Sequence, residues 1–422
     1  MNLRRCLMAA TAALTLCVLA HEAVAATGSE AAFVLVLPEE QLARAALEAH
    51  PEVMRAKAML DLSRANGRQL AAGDHEFVVS GAAMDRRIRS EASFPEFSLD
   101  LSRAVRLPGK ATLDRQAGAM GVKAAIDGVD DARHQTGLRL GDAWLNWIEA
   151  HQQLGQARQT EASLQTETGA VQRRVALKDA ALLDLEQAQA ALAAARSRRA
   201  QAEGALEATR LALIGDFPGL ALPASPPDLP DPVELDRPLP AWRAVILERS
   251  HEIRIADYLS RQADAVAARA KLDRRPDPTI GVRAFSERGG REQGLGVYFS
   301  TPIGGARRSA LADAETAKAS EARIAVLRVR REVEALAQID IAAVQFSTRA
   351  WRSAQDSLEA SKAASGRTRR GRELGELDLA AALIAERQAY DAHRAEITAR
   401  TEAWRALVHL RLDAHDLWAD EE

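Results

Sequence analysis

EFSLDLSRAVRLPGK, residues 96–110, is the stretch whose reading decides the fold. Phe97, Leu99, Leu101, Val105 and Leu107 alternate with Glu96, Ser98, Asp100, Ser102 and Arg106. A period of two gives one apolar and one polar face, so the stretch reads as a strand. Leu107-Pro108-Gly109 ends it, and a helical pattern without proline begins at Lys110. GLGVYFSTPIGGA, residues 294–306, repeats the design: Leu295, Val297 and Phe299 alternate with Gly296, Tyr298 and Ser300, and Pro302 and Gly304-Gly305 precede another long helix. Each strand has a partner upstream. His75–Arg89 lies before the polar turn Ser90–Pro95, and Thr279–Ser286 before the turn Glu287–Gln293. Two separate hairpins are expected, with strands at about 75–89 and 96–107, and at about 279–286 and 294–302.

The rest of the pattern is helical. Leu138, Leu145, Leu164 and Val171 fall in a loose seven-residue register, and about 65 residues make a helix of roughly 100 Å. A turn is expected near Leu177-Lys178-Asp179. A return helix follows to Ile214, with Leu185, Leu192, Leu206 and Leu213 in phase. Residues 110–214 thus form a long antiparallel helical hairpin. Before the strands, Leu37-Pro38-Glu39-Glu40 opens a helix that runs, kinked at Pro51, to about Ala72. Thr27–Val36 reads as a flexible lead.

Residues 216–240 hold eight of the fifteen prolines and read as an extended linker without a core of its own. Beyond it the first half (26–215) recurs as 241–412. Trp242–Leu272 reads as one helix, with Glu248, Glu252 and Ile253 matching Glu48, Glu52 and Val53. Pro276-Asp277-Pro278 breaks it before the strands. Residues 307–412 form the second long hairpin, turning at Leu374-Gly375-Glu376 and returning with Leu383, Tyr390, Ile397 and Trp404 in heptad spacing. Residues 413–422 are a tail.

Residues 1–25 read as a secretory signal: Arg4-Arg5, an apolar run from Leu7 to Ala20, and Ala23-Val24-Ala25 for cleavage. An anchoring helix is disfavoured by the short run and by His21 and Glu22. A lipoprotein signal is disfavoured by Leu16 before Cys17, where a small residue is wanted. Cys6 and Cys17 both lie in the signal, so the mature chain has no thiol chemistry. The net charge of −3 does not suggest nucleic acid. Aromatic residues make up only 4%, and Ala, Leu, Glu, Gln and Arg dominate, which suits long packed helices. No stretch after the signal has eighteen consecutive apolar residues, so any membrane passage must be made by strands.

A two-stranded ribbon is marginal alone, and four strands cannot close a barrel. Open edges do not persist in lipid, because every backbone group there needs a partner. Three chains would close a twelve-stranded barrel. Phe97, Leu99, Leu101, Ile280, Val282, Leu295, Val297 and Phe299 would then face lipid. Ser98, Asp100, Ser102, Thr279, Arg283, Gly296 and Ser300 would face a lumen. The pattern equally allows amphipathic strands that cap a soluble coiled coil.

Several segments resemble the outer membrane factor (TolC) family of trimeric channel-tunnels. LPEEQLARAALEAHPEV (37–53) is similar to the family's opening helix and RRPDPTIGV (274–282) to its helix-to-strand entry. LKDAALLDLEQAQAAL (177–192) and LGELDLAAALIAERQAYDA (374–392) are similar to its periplasmic tips. RLPGK (106–110) resembles the outer-membrane components of cobalt–zinc–cadmium-type efflux systems. The resemblance implies a mainly α protein with a small β part, a homotrimer, and a barrel continued by an α-helical periplasmic tunnel. It also implies a passive duct docked to a periplasmic adaptor and an inner-membrane proton-driven pump. A drug-efflux or type I secretion duct is the alternative within the fold. A soluble periplasmic adaptor or scaffold is the alternative outside it.

No catalytic or cofactor constellation is present. None of His50, His75, His134, His151, His251, His393, His409 and His415 forms an i,i+3 or i,i+4 pair, so each reads as a surface or packing residue and no metal site is expected. Gly294-x-Gly296 lacks the rest of a phosphate loop. The charged turns are the remaining candidates. The resemblance assigns gating or adaptor docking to Arg173, Arg174, Lys178 and Asp179 at the first tip, and to Arg372, Gly375, Glu376 and Asp378 at the second. Lys178 stands where the second repeat has Gly375. A positive φ would cost a lysine about 1 kcal/mol, so the first tip is expected to turn differently.

Overall fold

The computed structural model describes residues 33, 35–235 and 237–418; the signal 1–25 and residues 419–422 lie outside them. The elements in order are α1 (Glu40–Ala49), α2 (Pro51–Ala72), β1 (Phe77–Arg87), β2 (Ser93–Ala104), α3 (Lys110–Ala176) and α4 (Leu182–Asp216). The second repeat follows as α5 (Leu239–Arg249), α6 (His251–Leu272), β3 (Thr279–Glu287), β4 (Glu292–Ser300), α7 (Ala306–Glu373) and α8 (Leu379–Asp413). The helices and long strands of the second half follow in the same order as those of the first. Among the described residues, no helix is long and apolar enough to cross a membrane.

Two compact units emerge. One comprises the described parts of 1–54, 132–250 and 334–422; the other comprises 55–131 and 251–333. In the second, the strands form a single antiparallel sheet ordered β1-β2-β3-β4. Two separate hairpins were expected, but β2 pairs with β3 from Phe97↔Ser286 to Ala104↔Thr279. Polar–apolar alternation shows which face each strand buries and carries no information on which strand lies beside it. The turn is also tighter than Ser90–Pro95, because Ser93, Phe94 and Pro95 already pair with Arg87, Arg86 and Asp85.

The first unit contains the hairpin cores. The predicted register holds at Leu145, Leu164, Val171, Leu192, Leu213, Tyr390, Ile397 and Trp404, all buried. Leu164, Leu192 and Ala195 cluster with Leu383, and Val171 and Ala188 cluster with Leu379, so helices of both repeats share one seam. Burying each leucine contributes about 1.5–3 kcal/mol.

Four segments depart from expectation. Pro51 does not kink a continuous helix; it separates two. The residue before a proline is excluded from helical backbone, and His50 is extended at ψ 137°. The single helix expected over 242–272 likewise divides into α5 and α6, at Ser250 (ψ 119°). No proline is needed there, because a serine at the N-cap position favours extended backbone. The proline-rich segment is not a bare linker. Phe217, Leu220 and Leu229 are buried, the Leu229 carbonyl accepts from Arg400 Nη1 at 3.0 Å, and that of Pro230 accepts from Trp404 Nε1 at 2.8 Å. The lead is anchored at its end: Phe33 meets the Trp404 ring edge-on at 5.2 Å, and Trp144 Nε1 donates to the Val36 carbonyl at 2.7 Å.

Trp404 thus touches the lead, the proline-rich segment and the α8 core together. Trp404→Ala is expected to lower stability by about 3–5 kcal/mol in equilibrium unfolding, whereas Leu70→Ala, on the partly exposed side of α2, changes it by less than about 1 kcal/mol.

Candidate functional site

The two motifs singled out in the sequence meet in space. Lys110 of RLPGK begins α3, and Asp277 of PDP lies between α6 and β3. Lys110 is 1% exposed, and its ammonium has three acceptors: Asp277 Oδ1, Asp273 Oδ1 and the Arg275 carbonyl, each at 2.8 Å. Asp277 Oδ1 also accepts the Leu107 amide at 3.0 Å, and Oδ2 lies 3.0 Å from His75 Nε2. Nearby, Asp114 pairs with Arg106 (3.4 Å) and Arg269 (2.9 Å), and Arg269 also binds Asp273. Three cations therefore face three carboxylates. Gly109 lets the chain swing from strand to helix at φ +86°. Burial alone would raise Asp277; hydrogen bonds from Lys110, the Leu107 amide and His75 outweigh it and hold the carboxyl below its ordinary 3.8. Burial likewise opposes, and Arg269 and Lys110 reverse, the shift of Asp273. RLPGK is therefore a structural joint: its lysine is spent on holding β2 and β3 in place.

Strand pairing sets alternate residues on opposite faces of the sheet. Leu99, Ala284 and Leu295 lie in one row, and Leu101, Val282 and Val297 in the next. Phe97, Leu99, Leu101, Ile280, Val282, Leu295, Val297 and Phe299 are all exposed, from 43% at Val282 to 78% at Leu295. On the opposite face Arg283 Nε donates to Asp100 Oδ1 at 2.6 Å, and its guanidinium lies 5.7 Å from the centre of the Tyr298 ring.

The two tips turn alike, contrary to the expectation for the first. Lys178 has φ +61° and Gly375 φ +80°. Lys178 N bonds Val175 O (2.9 Å) and Asp179 N bonds Arg174 O (2.8 Å). Gly375 N bonds Arg372 O (3.0 Å) and Glu376 N bonds Gly371 O (2.8 Å). This is the Schellman closure in both repeats, and the hydrogen bonds override the lysine's backbone preference. The tips differ at the next helix start. Asp378 caps α8 by accepting the Ala381 amide at 2.8 Å, whereas Ala181 occupies that position before α4 and has no capping side chain. Arg174 pairs with Asp179 at 2.9 Å within the first turn, and Arg372 pairs with Glu167 of α3. Arg173, Lys178 and Glu376 are exposed.

Sequence reading missed two clusters whose members come from different repeats. Asp127 and Asp130 of α3 and His251 of α6 have ligand atoms within 4.8 Å of one another. Arg254 reaches into the group, donating Nε to Asp127 Oδ1 at 3.0 Å with Nη2 2.6 Å from His251 Nδ1, so a guanidinium holds the cation position. The second cluster is at the end of α8, where His134 Nε2 lies 2.9 Å from Asp413 Oδ1 and His409 Nε2 lies 2.9 Å from Asp142 Oδ1.

No family model matches the chain, and no curated protein matches it. Solved structures do. A membrane protein from Pseudomonas aeruginosa superposes with a TM-score of 0.78 at 19% identity, over 90% of this chain and 91% of that one. CusC, a structure described for its folding and transmembrane channel formation, gives 0.75 at 18% identity over 89% and 91%. The outer membrane channel CmeC of Campylobacter jejuni gives 0.73 at 16% over 90% and 86%.

Two measurements follow from this geometry. Lys178→Gly is expected to stabilise the chain by about 1 kcal/mol, read from the unfolding midpoint, because it removes the left-handed penalty without touching a contact. Lys110→Met should cost about 3–5 kcal/mol, since it leaves Asp277 and Asp273 without their ammonium partner. Both carboxyls are lowered on folding, so the stability they contribute is present above 3.8 and lost as the pH falls through their folded values. The variant should show a weaker acid dependence than the parent.

The chain has the outer-membrane channel fold of these structures, that of the outer membrane factor (TolC) family.

Proposed function

We propose that the chain is an outer-membrane export duct of a tripartite pump. Three copies close their four-stranded sheets into a twelve-stranded barrel, and the long helices continue it as a tunnel in the periplasm. The observation that carries this reading is the sheet. Phe97, Leu99, Leu101, Ile280, Val282, Leu295, Val297 and Phe299 are exposed along one face, while the other carries Asp100, Arg283 and serines beside Val78, Met84 and Phe285. A water-soluble adaptor or scaffold would leave Leu295 and Val297 in water at 78% and 77% exposure, whereas lipid is a fitting neighbour for both. The likeness to outer-membrane channels points the same way.

The duct is passive and performs no catalysis; energy comes from an inner-membrane proton-driven pump through a periplasmic adaptor. The exposed tip residues Arg173, Lys178 and Glu376 are the docking groups of this reading. The pairs Arg174–Asp179 and Arg372–Glu167 hold the tips in register and oppose opening. Asp378 and Gly375 shape the second turn. Heavy-metal cations are the proposed cargo, on the strength of the RLPGK resemblance.

Leu99→Lys and Val297→Arg place a charge on the lipid face, each at a cost of about 2–4 kcal/mol near the bilayer midplane, and should abolish outer-membrane insertion; Ser98→Lys should be tolerated. Membrane fractionation reads the outcome, and equal tolerance at all three positions would contradict the barrel. Deleting the gene should lower tolerance to zinc, cadmium or cobalt. Unchanged metal tolerance with lost drug tolerance would reassign the duct to drug export.

A further inference from the structure

Asp127 and Asp130 stand three residues apart on α3, and His251 and Arg254 stand three apart on α6, so each pair shares one face of its helix. All four belong to the sheet-bearing unit. The end of α5 before Ser250 makes His251 the first residue of α6. One ligand atom from each of Asp127, Asp130 and His251 lies within 4.8 Å of the other two, and Asp127 Oδ1 is 3.9 Å from His251 Nδ1. Arg254 shows which way their lone pairs point. A guanidinium carries donors only, so the His251 Nδ1 that lies 2.6 Å from Arg254 Nη2 accepts, and the ring proton is on Nε2. Asp127 Oδ1 accepts from Arg254 Nε at 3.0 Å. A neutral imidazole nitrogen and a carboxylate oxygen therefore converge on one cation, with the Asp130 carboxylate beside them.

We propose that Asp127, Asp130 and His251 form a binding site for a divalent cation of the zinc class, which the ion enters by displacing the Arg254 guanidinium. The Asp127 and His251 side chains are 12% and 16% exposed, so the donors are shielded from bulk water. The Arg254 side chain is 35% exposed and can turn outward to water when the ion takes its place. The ion would tie α3 of the first repeat to α6 of the second. No spacing within either repeat could reveal such a site, because neither repeat holds more than two of the three donors.

Donor type and charge select the ion. One imidazole and two carboxylates suit zinc and its neighbours, whereas calcium needs six to eight oxygens. Three protein donors leave a fourth position for water, the usual arrangement of an open zinc site. Zinc holds nitrogen and oxygen at about 2.1 Å, which sets tetrahedral donors about 3.4 Å apart. Side-chain rotation of roughly 1 Å brings the present spacing to that value once Arg254 has left. A guanidinium supplies one positive charge to the cluster and a divalent ion supplies two, one for each carboxylate. The competing guanidinium keeps the affinity moderate, and its removal strengthens binding. The site does not rest on the cargo proposed for the duct: loss of metal tolerance on gene deletion, with no zinc bound by the purified chain, would sink the site and leave the duct reading standing.

Calorimetric titration of the full-length protein in detergent with zinc chloride, after treatment with a chelator, tests the site. The wild type should bind one zinc per chain. Asp127→Asn and His251→Gln should each weaken binding by about tenfold or more, and Arg254→Met, which keeps all three donors, should strengthen it by about tenfold. Zinc should raise the unfolding midpoint of the wild type and leave that of an Asp127→Asn, His251→Gln double variant unchanged. Cobalt chloride gives a second readout on the wild type and Arg254→Met alone, so the test survives a donor variant that fails to fold: the visible bands of four-coordinate cobalt should appear in both, and at lower cobalt in Arg254→Met. A wild-type chain that takes up neither zinc nor cobalt, or a zinc affinity that is the same in the wild type, His251→Gln and Arg254→Met, would overturn the proposal.

Discussion

The two halves of this chain are joined in the sheet-bearing unit through their strands. β2 pairs with β3, and beside that pairing the Lys110 ammonium binds Asp277, Asp273 and a backbone carbonyl. Without it the chain would hold two ribbons of two strands, each marginal alone. With it there is one four-stranded sheet with a largely apolar face. A buried ion network is costly to assemble and gains little net stability over an apolar substitute. What it supplies is geometry: the lysine uses all three of its protons in fixed directions, and the strand exit, strand entry and helix start are positioned together.

That sheet also sets the constraint on function. Among the described residues its outer strands, β1 and β4, have no second neighbour, and its apolar face is exposed. Unpaired backbone is tolerated in water and is prohibitive in lipid. The proposed duct resolves both problems at once, since copies of the same sheet satisfy the edges and the bilayer covers the face. The cargo is a separate matter. The motif that suggested metal export has its charges committed to the joint.

Much of the fold was legible because periodicity carries it. The heptad leucines and the strand alternation of Phe97, Leu99 and Leu101 are local signals, and the repeat at about two hundred residues confirms each half by the other. What failed to appear was non-local. Nothing in residues 96–107 says that β3 lies alongside, and nothing in Asp127 says that His251 and Arg254 approach it. The break at Ser250 had a faint local signal, a serine followed by an acid two residues later, masked by the helix formers around it. The proline-rich segment was misread because composition shows that it cannot make its own secondary structure, while Trp404 and Arg400 borrow its carbonyls. At the first tip the preference of lysine argued for a different turn. Two backbone hydrogen bonds are stronger than a preference of about 1 kcal/mol, and the turn is the same.

The central claim is that the sheet is one part of a closed barrel made by several copies. Native mass spectrometry of the protein released from outer membranes in mild detergent tests it most directly. The account predicts a single assembly of three chains that persists on dilution. A monomer that keeps its strand content after extraction, or a soluble monomer released without detergent, would contradict it.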